Sequence, residues 1–338
     1  MFSISEYIIS INSEFPLFSF NTVLYFGFWF LYSILIIKDY KKVIRYFKAD
    51  KKYVINVILI WNLIVGLSAV FPTSYERGYF VSFLKTSFSL DPIALMMMIL
   101  SYVYFILENR KRYLLFTIIP LYCIFMGESR TYLGVAVMMF LIGFFMMCKN
   151  RKVFIISLIP IILILIGLVS FSNIQKKIDS VKYTSESYLD YWGTVTNGRS
   201  VFWQIDLKGW SDSDIGCKLL GNGFNFVYDL NYTEYGGKIW AHNDFIQVLL
   251  TFGLVGVILY IYSIYNVFKL LIKRKGKHYY ELYILAMFVW LINAFFNMMY
   301  TYFCTAIALP ILVIIIRYWI DNREEEILEN NLISLKLI

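Results

Sequence analysis

Of 338 residues, 59% are hydrophobic and 20% aromatic, only 16% are charged, and the mean hydropathy is +0.64. Soluble domains average about 25% charged residues, so a chain this poor in charge has no way to cover a water-facing surface. The net charge of +8 does not point to nucleic acid, because the cations cluster in short stretches between apolar runs, where positive-inside topology puts them.

In chain order, apolar runs predict membrane spans at 17–37, 53–72, 89–107, 113–128, 131–148, 153–171, 244–266, 279–299 and 302–320. Each is near the length that crosses ~30 Å of hydrocarbon. The first 16 residues hold no Lys or Arg, so they lack the basic region of a cleavable signal peptide, and the chain is expected to start near Met1. Alternate connections are basic. Lys38, Lys41, Lys42, Arg45, Lys48, Lys51 and Lys52 form the first cluster, Arg110, Lys111 and Arg112 the second, and Lys149, Arg151 and Lys152 the third. Lys269, Lys273, Arg274, Lys275 and Lys277 follow, with Arg317, Arg323 and Lys336 toward the end. That side is expected to face the cytoplasm, which puts the N-terminus outside and the C-terminus inside. The predicted fold class is an all-α polytopic membrane protein, with about nine transmembrane helices and one large extracytoplasmic loop carrying short helices. Residues 1–171 hold helices one to six, 172–243 the loop, 244–320 helices seven to nine, and 321–338 a cytoplasmic tail. Cys123, Cys148, Cys217 and Cys304 show neither paired nor metal-like spacing, so no disulfide framework or zinc site is expected.

The 36 residues 113–148 are too many for one crossing at ~1.5 Å per residue. Two short crossings fit, and the only charges inside, Glu128 and Arg130, fall near the midpoint. Glu128-Ser129-Arg130-Thr131 is therefore expected at the apex of a helical hairpin near the outer surface. An arginine there is expensive unless it snorkels or meets an anion. The loop 172–243 has near-balanced charge and many aromatics, Trp203, Trp210 and Trp240 among them. It is expected to fold, with a short amphipathic helix around 199–210 and a turn at Gly221-Asn222-Gly223.

Three outer-face elements carry the candidate chemistry: Ser129-Arg130-Thr131, Asn197-Gly198-Arg199-Ser200 with Trp203 one turn later, and Ala241-His242-Asn243-Asp244 before the seventh span. Two of them place a helix N-terminus at the outer surface, where unsatisfied N–H groups and the dipole favour anions. Arg130 and Arg199 add planar forks able to grip phosphate bidentately. His242 can take a proton from a hydroxyl; His278 sits in a basic loop. Plainer roles stand beside these. Arg130 can be a snorkelling boundary residue, Asn243 a helix N-cap, Gly253 and Gly256 sites of close helix packing, and the loop aromatics a buried mini-core.

These residues resemble the O-antigen polymerase and O-antigen ligase superfamily. The resemblance rests on Ser129-Arg130-Thr131, Gly198-Arg199 with Trp203, Gly221-x-Gly223, and Ala241-His242-Asn243 leading into Phe245-x-Gln247 and Gly253-Leu254-Val255-Gly256. It runs from about Gly127 to Val257, and fewer spans precede it than in many members. It implies transfer of a glycan from an undecaprenyl-pyrophosphate-linked oligosaccharide to an acceptor glycan hydroxyl, with inversion at the anomeric carbon and with neither cofactor nor metal. By position, Arg130 and Arg199 look like the arginines that bind pyrophosphate and His242 like the essential loop histidine. Ser129, Thr131, Trp203, Asn243 and Asp244 are read as substrate-binding, with Asp244 and Glu128 as reserve bases. The expected function is a Wzy-type polymerase of O-antigen or capsule repeat units in the bacterial inner membrane, acting on its outer face. Its partners there would be the lipid bilayer and a chain-length regulator, not nucleic acid. An O-antigen ligase or protein O-oligosaccharyltransferase shares the donor chemistry. A lipid-linked oligosaccharide flippase is the rival of another class, disfavoured because the charge sits at the helix ends and in one loop rather than near the midplane.

Overall fold

The computed structural model describes residues 31–32, 35–36, 38–76, 79–84, 87–127, 129–148, 152, 198–223, 225–237, 239–272, 280–299 and 303–336. The predicted first span over 17–30, the sixth span 153–171 and the loop stretch 172–197 lie outside the described residues, as does Glu128. The described chain is nearly all helical and falls into two compact units. One comprises Leu31–Gly143, Ile264–Trp290 and Cys304–Ile338; the other comprises Met1–Phe30, Phe144–Ser263 and Leu291–Phe303.

The first of these opens with α1 (Tyr40–Ala49), a helix within the basic stretch, followed by α2 (Lys51–Val70). A two-stranded antiparallel hairpin follows, β1 (Ser74–Glu76) and β2 (Tyr79–Val81), with Tyr75 opposite Phe80. It is the one departure from an all-helical reading among the described residues. Then come α3 (Ser87–Glu108), a 3₁₀ segment Lys111–Thr117, α4 (Ile118–Met126) and α5 (Arg130–Met147). The predicted fourth span is short, and the 3₁₀ segment lengthens it. At ~2.0 Å per 3₁₀ residue and ~1.5 Å per α residue, Lys111 to Met126 reaches about 27 Å, close to the hydrocarbon thickness.

The core of this unit is built where helices approach through small side chains. A Cβ at Gly143 would fall within 2.2 Å of the Tyr102 ring, so α5 lies directly against α3 only because position 143 is glycine. Two buried polar groups find backbone partners, which offsets the cost of burying them. The Asn62 amide donates to the Phe116 carbonyl at 3.0 Å, and the Tyr104 hydroxyl donates to the Phe47 carbonyl at 3.0 Å. At the basic end, Lys51 opens α2 and Glu108 closes α3, and the two form an ion pair that Tyr113 joins through its hydroxyl at 2.6 Å. The ends of α2 and α3 that meet are those flanking the two predicted cytoplasmic connections.

The other unit holds α6 (Arg199–Asp212), α7 (Ile215–Leu220) and α8 (Phe226–Tyr235), then the first part of α9 (Asp244–Ile272) and the end of α10 (Tyr280–Phe296). The last helix, α11 (Phe303–Lys336), continues through most of the expected cytoplasmic tail. Four helical stretches among the described residues are long and apolar enough to cross a membrane: Lys51–Val70, Ser89–Glu108, Asp244–Lys269 and Cys304–Arg323. Thr131–Met147 and Tyr280–Phe296 are shorter apolar helices. Their outer faces are apolar; Leu63 and Ile258 are 62% and 65% exposed. A contiguous exposed surface of this kind is stable in lipid rather than in water.

Candidate functional site

Gly198 initiates α6. Its φ of +81 is a left-handed conformation, and its carbonyl accepts the first helical N–H bonds, from Val201 and Phe202. That start points Arg199 at the far end of α10, where a guanidinium N–H donates to the carbonyl of Phe296. The last carbonyls of a helix lack intrahelical donors and carry the negative dipole end, so a guanidinium is a natural partner there. One turn on, the Trp203 indole N–H donates to the carbonyl of Ala241 at 2.7 Å. The Trp203 ring packs edge-on against Phe295 at 5.3 Å and lies 6.4 Å from Phe296. Trp203, expected to bind substrate, thus ties α6 to both α10 and the chain before α9.

His242 follows Ala241 with φ +49, an uncommon conformation for a residue with a side chain. Its Nδ1 is buried and has no hydrogen-bond partner among the described residues. Burial lowers its pKa from the ordinary 6.5 to about 4, and the neighbouring Arg199 charge pushes in the same direction. At neutral pH the imidazole is therefore uncharged, with one ring nitrogen able to accept a proton.

Asn243 caps α9. Its side-chain oxygen accepts from the N–H groups of Phe245 at 2.9 Å and Ile246 at 3.2 Å. Asp244 is fully buried and accepts from the Tyr260 hydroxyl at 2.5 Å, a contact that only a break in the helix between them allows, since 16 residues of unbroken helix would set them about 24 Å apart. Gln247 reaches back to accept the Ala241 N–H at 3.1 Å and donates to Thr251 at 3.3 Å. The turn bearing His242 is therefore held from both sides, by Trp203 on the Ala241 carbonyl and by Gln247 on the Ala241 N–H.

The helix after this turn is broken. Gly253 has φ 67 and ψ −167, which ends regular helix one residue after Phe252. Next to the break, the carbonyls of Leu250 and Thr251 accept from the N–H groups of Asn222 at 2.8 Å and Gly223 at 3.3 Å. A Cβ on Gly221 would fall 2.1 Å from the Thr251 carbonyl oxygen, and one on Gly253 would fall 2.3 Å from the Leu219 backbone. Gly253 permits the close approach expected of it, here to the backbone at the end of α7, and in addition breaks the helix beside the glycine turn. Of the aromatics of this segment, Trp210 and Phe226 pack, with Ile246, on a buried cluster of Val227, Ala241 and Leu250.

Ser129, Arg130 and Thr131 belong to the other unit. The Ser129 carbonyl accepts the Leu133 N–H at 2.9 Å, Arg130 is the first residue of α5, and Thr131 is buried. The Arg130 side chain, like Glu128 and Asn197, lies outside what is described. Sequence reasoning passed over the end of α10, which reads as a plain apolar span. It also passed over Gln247 as a brace and over Asp206, whose buried carboxyl accepts from Asn231 at 3.2 Å. A glutamine inside an apolar run was the available signal for the brace.

The helices define a multi-pass membrane protein. Residues 115–261 match the family model described as O-Antigen ligase, a stretch that includes α4, α5 and the whole of the Arg199–His242 arrangement. A curated protein of Rickettsia conorii (strain ATCC VR-613 / Malish 7), named "Putative polysaccharide ligase", is 24% identical over 237 residues. The alignment covers 65% of this chain and 56% of that protein, so the chain spans little more than half the length of the curated relative it matches. No solved structure matches. The two similarities support the O-antigen ligase and polymerase superfamily, the group that the arginine and His-Asn motifs resemble.

Proposed function

We propose that this protein transfers a glycan from an undecaprenyl-pyrophosphate donor to an acceptor sugar hydroxyl, as a polymerase of lipid-linked repeat units. In this reading the reaction takes place at the outer face of the bacterial inner membrane. The acceptor O–H attacks the anomeric carbon, the bond from that carbon to the pyrophosphate oxygen breaks with inversion, and the pyrophosphate leaves with the electron pair. Arg199 faces the charge that develops on the leaving group, and the family resemblance gives Arg130 the same role; fixed cations in a site of low dielectric lower such a barrier. His242 takes the hydroxyl proton on its unprotonated nitrogen. No metal enters this scheme, and transfer is expected to persist in EDTA.

The observation that carries the reading is the pairing of an anchored arginine with a neutral, buried histidine. Arg199 is held at the end of α10, and its charge acts on His242. A cation beside a proton acceptor is the arrangement that a hydroxyl attack with an anionic leaving group requires.

A ligase that uses lipid A-core as acceptor is the second reading, favoured by the names of the matching family and of the Rickettsia protein. Purified protein incubated with a synthetic undecaprenyl-pyrophosphate repeat unit separates the two. A ladder of products from donor alone marks a polymerase, and a single addition that requires lipid A-core marks a ligase. Absence of transfer to either acceptor, by protein that binds the donor, sinks both.

A further inference from the structure

The end of α10 carries two buried amides with unpartnered polar atoms. Asn293 is fully buried, and both ends of its side chain, Oδ1 and Nδ2, lack a hydrogen-bond partner among the described residues. Asn297, 2% exposed, has an unpartnered Oδ1. Asn293 lies in the last turn of α10 and Asn297 directly follows its final residue, Phe296. Burying an amide without hydrogen bonds is costly, because the group loses its water partners and gains none. Two such groups at the end of a helix otherwise apolar enough for lipid mark a place where a polar partner belongs.

Their position says which partner. Phe296 lies between them in sequence, and its carbonyl receives Arg199. Phe295 and Phe296 both meet the Trp203 ring, and Trp203 holds the residue before His242. The strip therefore adjoins the anchored arginine and belongs to the same compact unit as His242. An amide offers two donors and an acceptor and carries no charge. That set matches a sugar hydroxyl, itself donor and acceptor, and suits a phosphate poorly, since phosphate offers only acceptors and calls for cations.

We propose that Asn293 and Asn297 form a hydrogen-bonding strip that receives hydroxyl groups of the donor's glycan, beside the arginine that meets its pyrophosphate. The assignment rests on the polyprenyl-pyrophosphate reading given above and adds to it a subsite for the saccharide.

The test compares two probes on purified full-length protein in detergent: undecaprenyl pyrophosphate itself, and the lipid-linked saccharide extracted from the cells that make this protein. Asn293→Leu and Asn297→Leu are each expected to weaken the saccharide-bearing probe about tenfold, the size of one hydrogen bond left unmade. Affinity for the bare lipid should stay unchanged. Equal loss on both probes, or no loss on either, overturns the strip. Thermal unfolding of the empty variants guards against a folding artefact. Leucine removes orphaned polar groups, so the midpoint should hold or rise, and a fall in both variants assigns the amides to packing and overturns the proposal. The arms separate the two levels of inference. Wild type that fails to bind either probe removes the pyrophosphate reading and the strip together. Wild type that binds bare lipid, with variants indifferent to the saccharide, removes the strip alone.

Discussion

The indole of Trp203 donates to the carbonyl of Ala241 at 2.7 Å, across 38 positions of chain. Through that bond, the helix that anchors Arg199 also sets the backbone immediately before His242. Gln247 accepts from the N–H of the same residue at 3.1 Å, so both peptide units flanking Ala241 are held. Two side chains acting on one residue are what maintain His242 in a left-handed conformation that a non-glycine residue rarely adopts.

Topology is checked by cysteine labelling. Asp212 is exposed at the end of α6. In a Cys217→Ser background, Asp212→Cys is expected to react with a membrane-impermeant thiol reagent on intact cells, while Lys275→Cys, in a basic connection, should not. Labelling of position 275 alone would place the candidate site on the cytoplasmic side and remove the proposed donor.

Arg199→Ala should lower turnover by about 10²–10³-fold, the usual cost of removing one preorganised group from a developing negative charge. Arg130→Ala is expected to behave alike. Lysine at either position should restore only part of the rate, because it supplies charge without a planar fork. Steady-state transfer by purified variants measures this, and wild-type rates for both alanine variants would dismiss the leaving-group role.

His242 gives a pH signature. Its pKa lies near 4, below the ordinary 6.5, so the neutral, proton-accepting form already dominates above about pH 5. The transfer rate should stay level from pH 8 down to about 5.5 and fall only as the pH approaches 4. The same shift works against stability in acid: the contribution present above pH 6.5 is lost as the pH falls toward 4. His242→Asn, chosen because asparagine tolerates the left-handed backbone, should reduce turnover about 10²–10⁴-fold with donor affinity retained. A rate profile that breaks near pH 6.5 would argue against a buried base.

Gly253 and Gly221 should tolerate no side chain. Backbone conformation alone costs an alanine at Gly253 about 1–3 kcal/mol, and its Cβ would overlap the Leu219 backbone. Gly253→Ala and Gly221→Ala are expected to lower the thermal midpoint of the purified protein strongly. At Gly236 the φ is +83 but a Cβ meets nothing within 4 Å, so Gly236→Ala should cost far less. Equal midpoints for all three variants would show that the glycine turn does not lock the helix break.

Asp206 titrates in the opposite sense. Burial raises its pKa from 3.8 to about 7, against the lowering effect of the Asn231 hydrogen bond. Its stabilising contribution is complete below pH 3.8 and is lost as the pH rises through 7. The advantage of Asp206→Asn over wild type in thermal stability should be larger at pH 8 than at pH 5. A variant less stable than wild type at pH 8 would mean that the carboxylate is favoured in the fold.

Much of this protein was legible in one dimension because the relevant forces act locally. Hydrocarbon thickness makes spans such as Lys51–Val70 and Asp244–Lys269 visible as apolar runs. An asparagine before an apolar run announces its own cap, and Asn243 makes those bonds. Arg199 and His242 stood out because charge and imidazole are scarce in so apolar a chain. Tertiary structure alone decided which distant pieces meet. Arg199 reaches a carbonyl 97 residues away, and Asn222 fills a helix break whose glycine looked like any packing glycine. No spacing rule encodes such contacts. A backbone carbonyl is the same at every residue, and only the folded chain determines which one lies open at the end of α10.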